Sequence, residues 1–194
     1  MEKKYILTEE AKEVGGHILH RIQAMRDFGD VQKGNLGGWV ESEENLSHDG
    51  DCWIFDNGWV FGNGRVSDNG WVFGDGKVFG NGRVFGNGRV FGNGEVYDNG
   101  WVFDDGWVFG NAKIGFNAYI SSPRSYFVQG PIGSRNDFLT CYLDKDKKIY
   151  AVTGCFCGSI EVFVKKVKAV HGMNRWAKQY LKAAEMARVM LSGD

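Results

Sequence analysis

Proline is almost missing from this chain, with 2 residues in 194, and no run of about 18 apolar residues occurs. The first shortage excludes collagen-like and polyproline architectures, and the second argues against a membrane-spanning helix. The opening stretch MEKKYILTEE has no apolar core of a secretion signal, so a cytoplasmic location is expected. Charge of either sign is in balance, 23 Lys+Arg against 24 Asp+Glu, which does not suit a general nucleic-acid binder dependent on a basic surface. Four cysteines, Cys52, Cys141, Cys155 and Cys157, are too few and too unevenly placed for a disulfide framework and read as free thiols.

Glycine is the opposite case. The chain has 29, and fifteen of them fall between Gly58 and Gly110. Through that segment and on either side of it Ile54, Val60, Val66, Val72, Val78, Val84, Val90, Val96, Val102, Val108, Ile114 and Ile120 recur every six residues without interruption. A representative phrase is Arg83-Val84-Phe85-Gly86-Asn87-Gly88. In an extended backbone the aliphatic side chain points one way and its two neighbours the other. The Gly or Asp that follows, then Asn or Asp, suits a tight corner. The small residue two places before each aliphatic leaves room where the chain bends inward. A six-residue unit cannot bury its own aliphatic group, so stability requires stacking of successive turns.

The phrase resembles the hexapeptide repeat of left-handed parallel β-helices, a triangular prism with three hexads to a coil. The resemblance implies a mainly β fold with about four coils over residues 50–121, on the order of 20 Å long at about 4.8 Å per stacked strand. Residues 1–49 form an N-terminal cap, with Tyr5–Thr8 and His17–Ala24 extended and Leu36–Val40 leading into the first coil. Residues 122–194 form a small C-terminal α+β module. In it Tyr126–Val128, Phe138–Leu143 and Ile149–Thr153 read as strands, and Asp144–Lys148 as a hairpin turn. One helix begins at a Ser159 cap and stops at Gly172, and a second lies on Trp176, Tyr180, Leu181, Ala184, Ala187 and Leu191.

Three hexads to a coil sort the outward residues onto three faces. The first carries Trp53, Trp71, Arg89 and Trp107 with Phe55, Phe73, Phe91 and Phe109, a wall of rings that must be covered. Another copy of the chain or the protein's own flanking segments would cover it, and a homo-oligomer, with a trimer favoured, is expected. The second face carries Trp59, Lys77, Glu95 and Lys113 with Phe61, Phe79, Tyr97 and Gly115. The third carries Arg65, Arg83, Trp101 and Tyr119 with Ser67, Phe85, Phe103 and Ser121.

The hexapeptide prism is best known from acyltransferases, which need a histidine base. Residues 51–120 contain no His, so His17, His20 or His48 would have to serve from the cap, and no catalytic residue is assigned. That stretch has no Thr either, which argues against ice binding. No metal site and no cofactor are expected, because Cys155-Phe156-Cys157 has no second ligand pair and reads as small buried thiols at a strand end.

The strongest ligand-site candidate joins Gly130–Asp137 with Gly154–Ser159. Ser134, Arg135, Asn136 and Asp137 offer a hydroxyl, a guanidinium, an amide and a carboxylate, and Arg135 suits phosphate or carboxylate. Gly158 and Ser159 sit at a predicted helix N-terminus, where free N–H groups favour an anion. Two ordinary turns, with Arg135 paired to an acidic neighbour, are the alternative. Arg21 and Arg26 are further candidates for a ligand or a subunit contact.

The segments His20–Ala24 and Asn45–Ser47, the hexads, and the closing Ile132–Asp137 with Gly154–Phe156 together resemble phage and prophage β-helix proteins labelled hypothetical or polymer-forming cytoskeletal. The likeness implies a viral origin. It is similar in style to viral sponges that sequester nucleotide second messengers of bacterial defence. The function so implied is non-catalytic binding of a phosphorylated small molecule, such as a cyclic nucleotide or ADP-ribose derivative. A protein-interaction scaffold using the aromatic face is the runner-up, and an acyltransferase the third reading.

Overall fold

The computed structural model describes residues 3–192. Twelve two-residue strands, one per hexad, form three parallel sheets of a three-faced β-solenoid. On the first face β4 (Trp53–Ile54), β7 (Trp71–Val72), β10 (Arg89–Val90) and β13 (Trp107–Val108) stack in register. The second face has β5 (Trp59–Val60), β8 (Lys77–Val78), β11 (Glu95–Val96) and β14 (Lys113–Ile114). The third has β6 (Arg65–Val66), β9 (Arg83–Val84), β12 (Trp101–Val102) and β15 (Tyr119–Ile120). The repeating Val and Ile are buried along the axis, from Ile54 to Ile120.

Two backbone demands explain the glycines. From Ile54 to Ile114 the residue two places after the aliphatic turns the corner at positive φ, filled by glycines such as Gly62, Gly74 and Gly80, by Asp56, Asp68, Asp98 and Asp104, and once by Phe116. The residue two places before it lies under the next coil. A Cβ on Gly82 would sit 2.7 Å from the Val96 carbonyl oxygen and 3.1 Å from that of Phe79. Ala112 and Ala118 hold the same position in the last coil, where no later rung stands over them.

Outside the prism, like side chains stack on like. Phe61, Phe79 and Tyr97 form a column with centroids 5.2 and 5.4 Å apart. Asn63 donates to Asn81 (3.1 Å) and Asn81 to Asn99 (3.3 Å), each 18 residues on.

The expected four coils are present, and the segment before them adds a partial fifth. Strands β1 (Tyr5–Val14) and β2 (His17–Ala24) form a hairpin, and β2 pairs with β3 (Leu36–Val40). Strand β3 then joins the second face in parallel, Trp39 against Trp59 and Val40 against Val60, and Leu46 bridges Val66 on the third. Val40 and Leu46 are therefore hexad residues whose spacing to the next coil is 20 rather than 18. The cap also covers one end of the first face, where Trp53, 1% exposed, lies beneath Phe28 (5.3 Å) and Tyr5 (6.1 Å). Farther along, Arg89 inserts between Trp71 (4.8 Å) and Trp107 (5.5 Å), while Trp107 and Phe109 remain 39% and 45% exposed.

At the other end of the column stands an antiparallel meander of β16 (Tyr126–Ile132), β17 (Asp137–Leu143), β18 (Ile149–Thr153) and β19 (Phe156–Ser159). Helices α1 (Ile160–His171) and α2 (Arg175–Leu191) pack on it around a second core that includes Leu139, Phe163, Tyr180 and Ala184. Ser159 caps α1 and Gly172, at φ 55°, ends it, as the sequence predicts. No helix among the described residues is long and apolar enough to cross a membrane.

Candidate functional site

In a meander the first and third turns lie at the same end of the sheet. The β16–β17 turn, Gly133–Asn136, and the β18–β19 turn, Gly154–Cys155, therefore meet. A Cβ placed on Gly154 would stand 3.5 Å from the Arg135 Nη1 and 3.8 Å from the Asp137 Oδ2, so both side chains reach this turn. Gly133 turns at φ 76° and donates its N–H to Gln179 Oε1 of α2 (2.9 Å), and any side chain there would collide with the Tyr180 hydroxyl. The first turn is thus locked onto α2 by its lack of a Cβ.

Between these turns and the helices lies a cleft of about 250 Å³. Ser134, Arg135 and Asp137 form one wall, Thr153–Phe156 another, and Lys166, His171 and Tyr180 close it from the helices. Its aromatic side is tightly arranged: Phe163 meets Tyr180 edge to face at 5.7 Å, and the Lys166 ammonium lies 5.3 Å from the Phe156 ring centre. Arg135 and Lys166 bring two cations to an apolar concavity, the combination that holds a phosphate or carboxylate next to a ring. Among the described residues Arg135 has no carboxylate within 4.0 Å, so the acidic-neighbour alternative is not realised as an ion pair.

The other sequence candidates lie apart from this cleft. Asn136 supplies the positive-φ corner of its turn rather than cleft lining. The Ser159 hydroxyl accepts the Val162 N–H (3.4 Å), and Gly158 lies against the Phe156 ring, so the α1 N-terminus serves its own cap. Arg21 and Arg26 belong to the opposite end of the column, over Trp39 (5.2 Å) and near Phe28 (5.8 Å). The thiol reading needs correction as well. Cys52 and Cys141 are buried, but Cys155 and Cys157 are exposed, and Cys155 lines the cleft. The β18–β19 turn points outward there, so burial at that strand end is unavailable.

The cleft residues that the helices contribute were not legible as site residues. Lys166, His171 and Tyr180 sit on helices whose sequence reads as ordinary amphipathic faces.

The histidines of the cap occupy defined positions. His48 Nδ1 accepts the Lys4 N–H (3.3 Å) and Nε2 faces Glu43 Oε2 at 3.6 Å, leaving the ring no free lone pair for a base. His20 Nδ1 contacts the Thr8 carbonyl oxygen (3.2 Å). His17 is different: its Nδ1 meets the Glu41 carboxylate at 2.9 Å, and no hydrogen bond among the described residues engages Nε2. The His17 bond, then the Gly62 N–H donated to Oε2 at 2.7 Å, hold the Glu41 carboxyl below the ordinary carboxylate range. This pair joins residues 24 apart, and no spacing in the sequence announced it.

Over 62 residues the chain is 37% identical to YdcK of Escherichia coli (strain K12), described as an uncharacterized acetyltransferase. The match covers 28% of this chain and 19% of that protein, so it spans about a fifth of the relative's length. No family model matches the chain. The partial likeness and the stacked coils fit the hexapeptide-repeat, left-handed β-helix family.

Proposed function

We propose that this protein binds and sequesters a phosphorylated small molecule in the C-terminal cleft without turning it over. The observation that carries the reading is the convergence of Arg135 and Lys166 on a concavity faced by Phe156, Phe163 and Tyr180. The two cations would take the phosphate and the rings a base or sugar face. At about 250 Å³ the cleft lies near the small end of ligand sites. That size favours a ligand of one nucleotide unit, such as a cyclic mononucleotide, over the larger ADP-ribose derivatives. The resemblance to phage β-helix proteins supports a nucleotide second messenger of antiviral defence as the class. Thermal melting with and without cyclic AMP tests the reading. Stabilisation of the natural protein, lost in Arg135→Ala, is expected, and equal stabilisation of both removes Arg135 from the site.

In this reading the prism is the scaffold, and copies of the chain associate along it through the exposed part of the first face, with a trimer favoured. The likeness to YdcK and the His17–Glu41 pair favour acetyl transfer as a second reading. Acetyl-coenzyme A consumption by the natural protein, abolished in His17→Ala, would establish it.

A further inference from the structure

Of the twelve hexads, nine place an aromatic ring directly after the aliphatic residue, and Ser67, Gly115 and Ser121 are the exceptions. The protein fills the gaps of the last coil itself. Gly115 lies against the Tyr97 ring, and beside Ser121 the Tyr119 ring packs on Phe103 at 4.3 Å. Ser67 has no such substitute. Beneath it the partial coil contributes another serine, Ser47, whose N–H donates to the Val66 carbonyl (2.9 Å). The third-face column thus runs Phe103, Phe85 and then two serines. Phe85 and Phe103 are stacked 5.3 Å apart and 13° from parallel, and the lower face of Phe85 looks into a groove of about 530 Å³.

The groove is large enough for a small ligand and chemically uneven. Arg65 is already engaged with Glu44 at 3.3 Å. Arg83 lies over Trp101 (5.7 Å) and, among the described residues, has no carboxylate within 4.0 Å. At the far end stand Glu43 and His48, whose Nε2 is enclosed without a hydrogen-bond partner.

We infer that the third face carries a second binding site, separate from the C-terminal cleft, for an aromatic anion: a planar ring bearing a phosphate or carboxylate. The ring takes the place of the missing phenyl group under Phe85, and the anion meets the Arg83 guanidinium.

Calorimetric titration with phenyl phosphate tests this on the full chain. The natural protein should bind saturably at millimolar phenyl phosphate. Ser67→Phe restores the ring found in nine hexads, so it should fold, melt higher and lose binding. Arg83→Ala, at an exposed position, should weaken binding roughly tenfold, about 1.4 kcal/mol. The Ser67→Phe and Arg83→Ala titrations are made in the Arg135→Ala background, which silences the cleft, so the saturable heat they read is the groove's. No saturable heat with the natural protein overturns the inference. So does unchanged affinity in Ser67→Phe or Arg83→Ala, or the loss of all saturable heat in Arg135→Ala alone.

Discussion

The Lys4 ammonium lies 3.1 Å from the Cys52 Sγ and 3.0 Å from the Cys52 carbonyl oxygen, with both side chains fully buried. Two more carbonyls, of Asp49 (3.4 Å) and Gly50 (3.3 Å), complete the site. Burial drives the Lys4 pKa down and the Cys52 thiol up, and the contact between them opposes both shifts. A single residue before β1 thus pins the cap to the segment where the partial coil joins the regular hexads. Lys4→Ala would leave several buried acceptors without their donor and is expected to cost about 2–4 kcal/mol. Urea unfolding, followed by the fluorescence of the buried Trp53 and its neighbours, reads that loss.

Packing of successive coils predicts a positional contrast. Gly82→Ala forces a Cβ against the Val96 carbonyl and should destabilise by about 1–3 kcal/mol. Ala112→Gly, at the equivalent place in the last coil, loses only a small buried methyl and should cost about 1 kcal/mol. Thermal melting of the two variants side by side gives the order.

Acid sensitivity follows from Glu41. Its carboxyl is held below the usual value by His17 and by the Gly62 N–H, so as pH falls the unfolded chain takes up the proton first. The carboxylate's contribution is present above about pH 4.5, the unfolded value, and is lost as pH falls through the lower folded value. The melting temperature should decline across that range, and Glu41→Gln should flatten the decline.

The proposed assembly along the prism would make the exposed rings of the first face the sensitive surface. Phe109, 45% exposed, tolerates a charge in the isolated chain, so Phe109→Glu should leave folding intact and lower the mass in light scattering toward that of one chain. An unchanged mass would place the contact elsewhere.

Legibility in the sequence followed the range of the interactions. The hexads were readable because each residue's role repeats at a fixed spacing, and the same rule hid the partial coil. Leu46 to Ile54 is eight residues, since His48–Gly50 inserts extra chain for the cap to grip, so Val40 and Leu46 fell out of phase. The meeting of the Arg135 and Gly154 turns was foreseeable from strand pairing. Lys166, His171 and Tyr180 were not, because the packing of α1 and α2 on the sheet brings them in. Ser67 was visible as an interruption in a row of rings, but the groove exists only because Glu43–His48 folds back beneath it.

The claim that the C-terminal cleft holds a phosphorylated ligand is tested most directly by mass spectrometry. The sample is the small-molecule fraction released by heat from protein purified out of bacteria with active nucleotide signalling. The expected result is one phosphorylated compound of about a single nucleotide's size, near one per chain, and missing from Arg135→Ala prepared in parallel. A natural protein that releases no phosphorylated compound, or an Arg135→Ala sample that releases as much, would contradict the account.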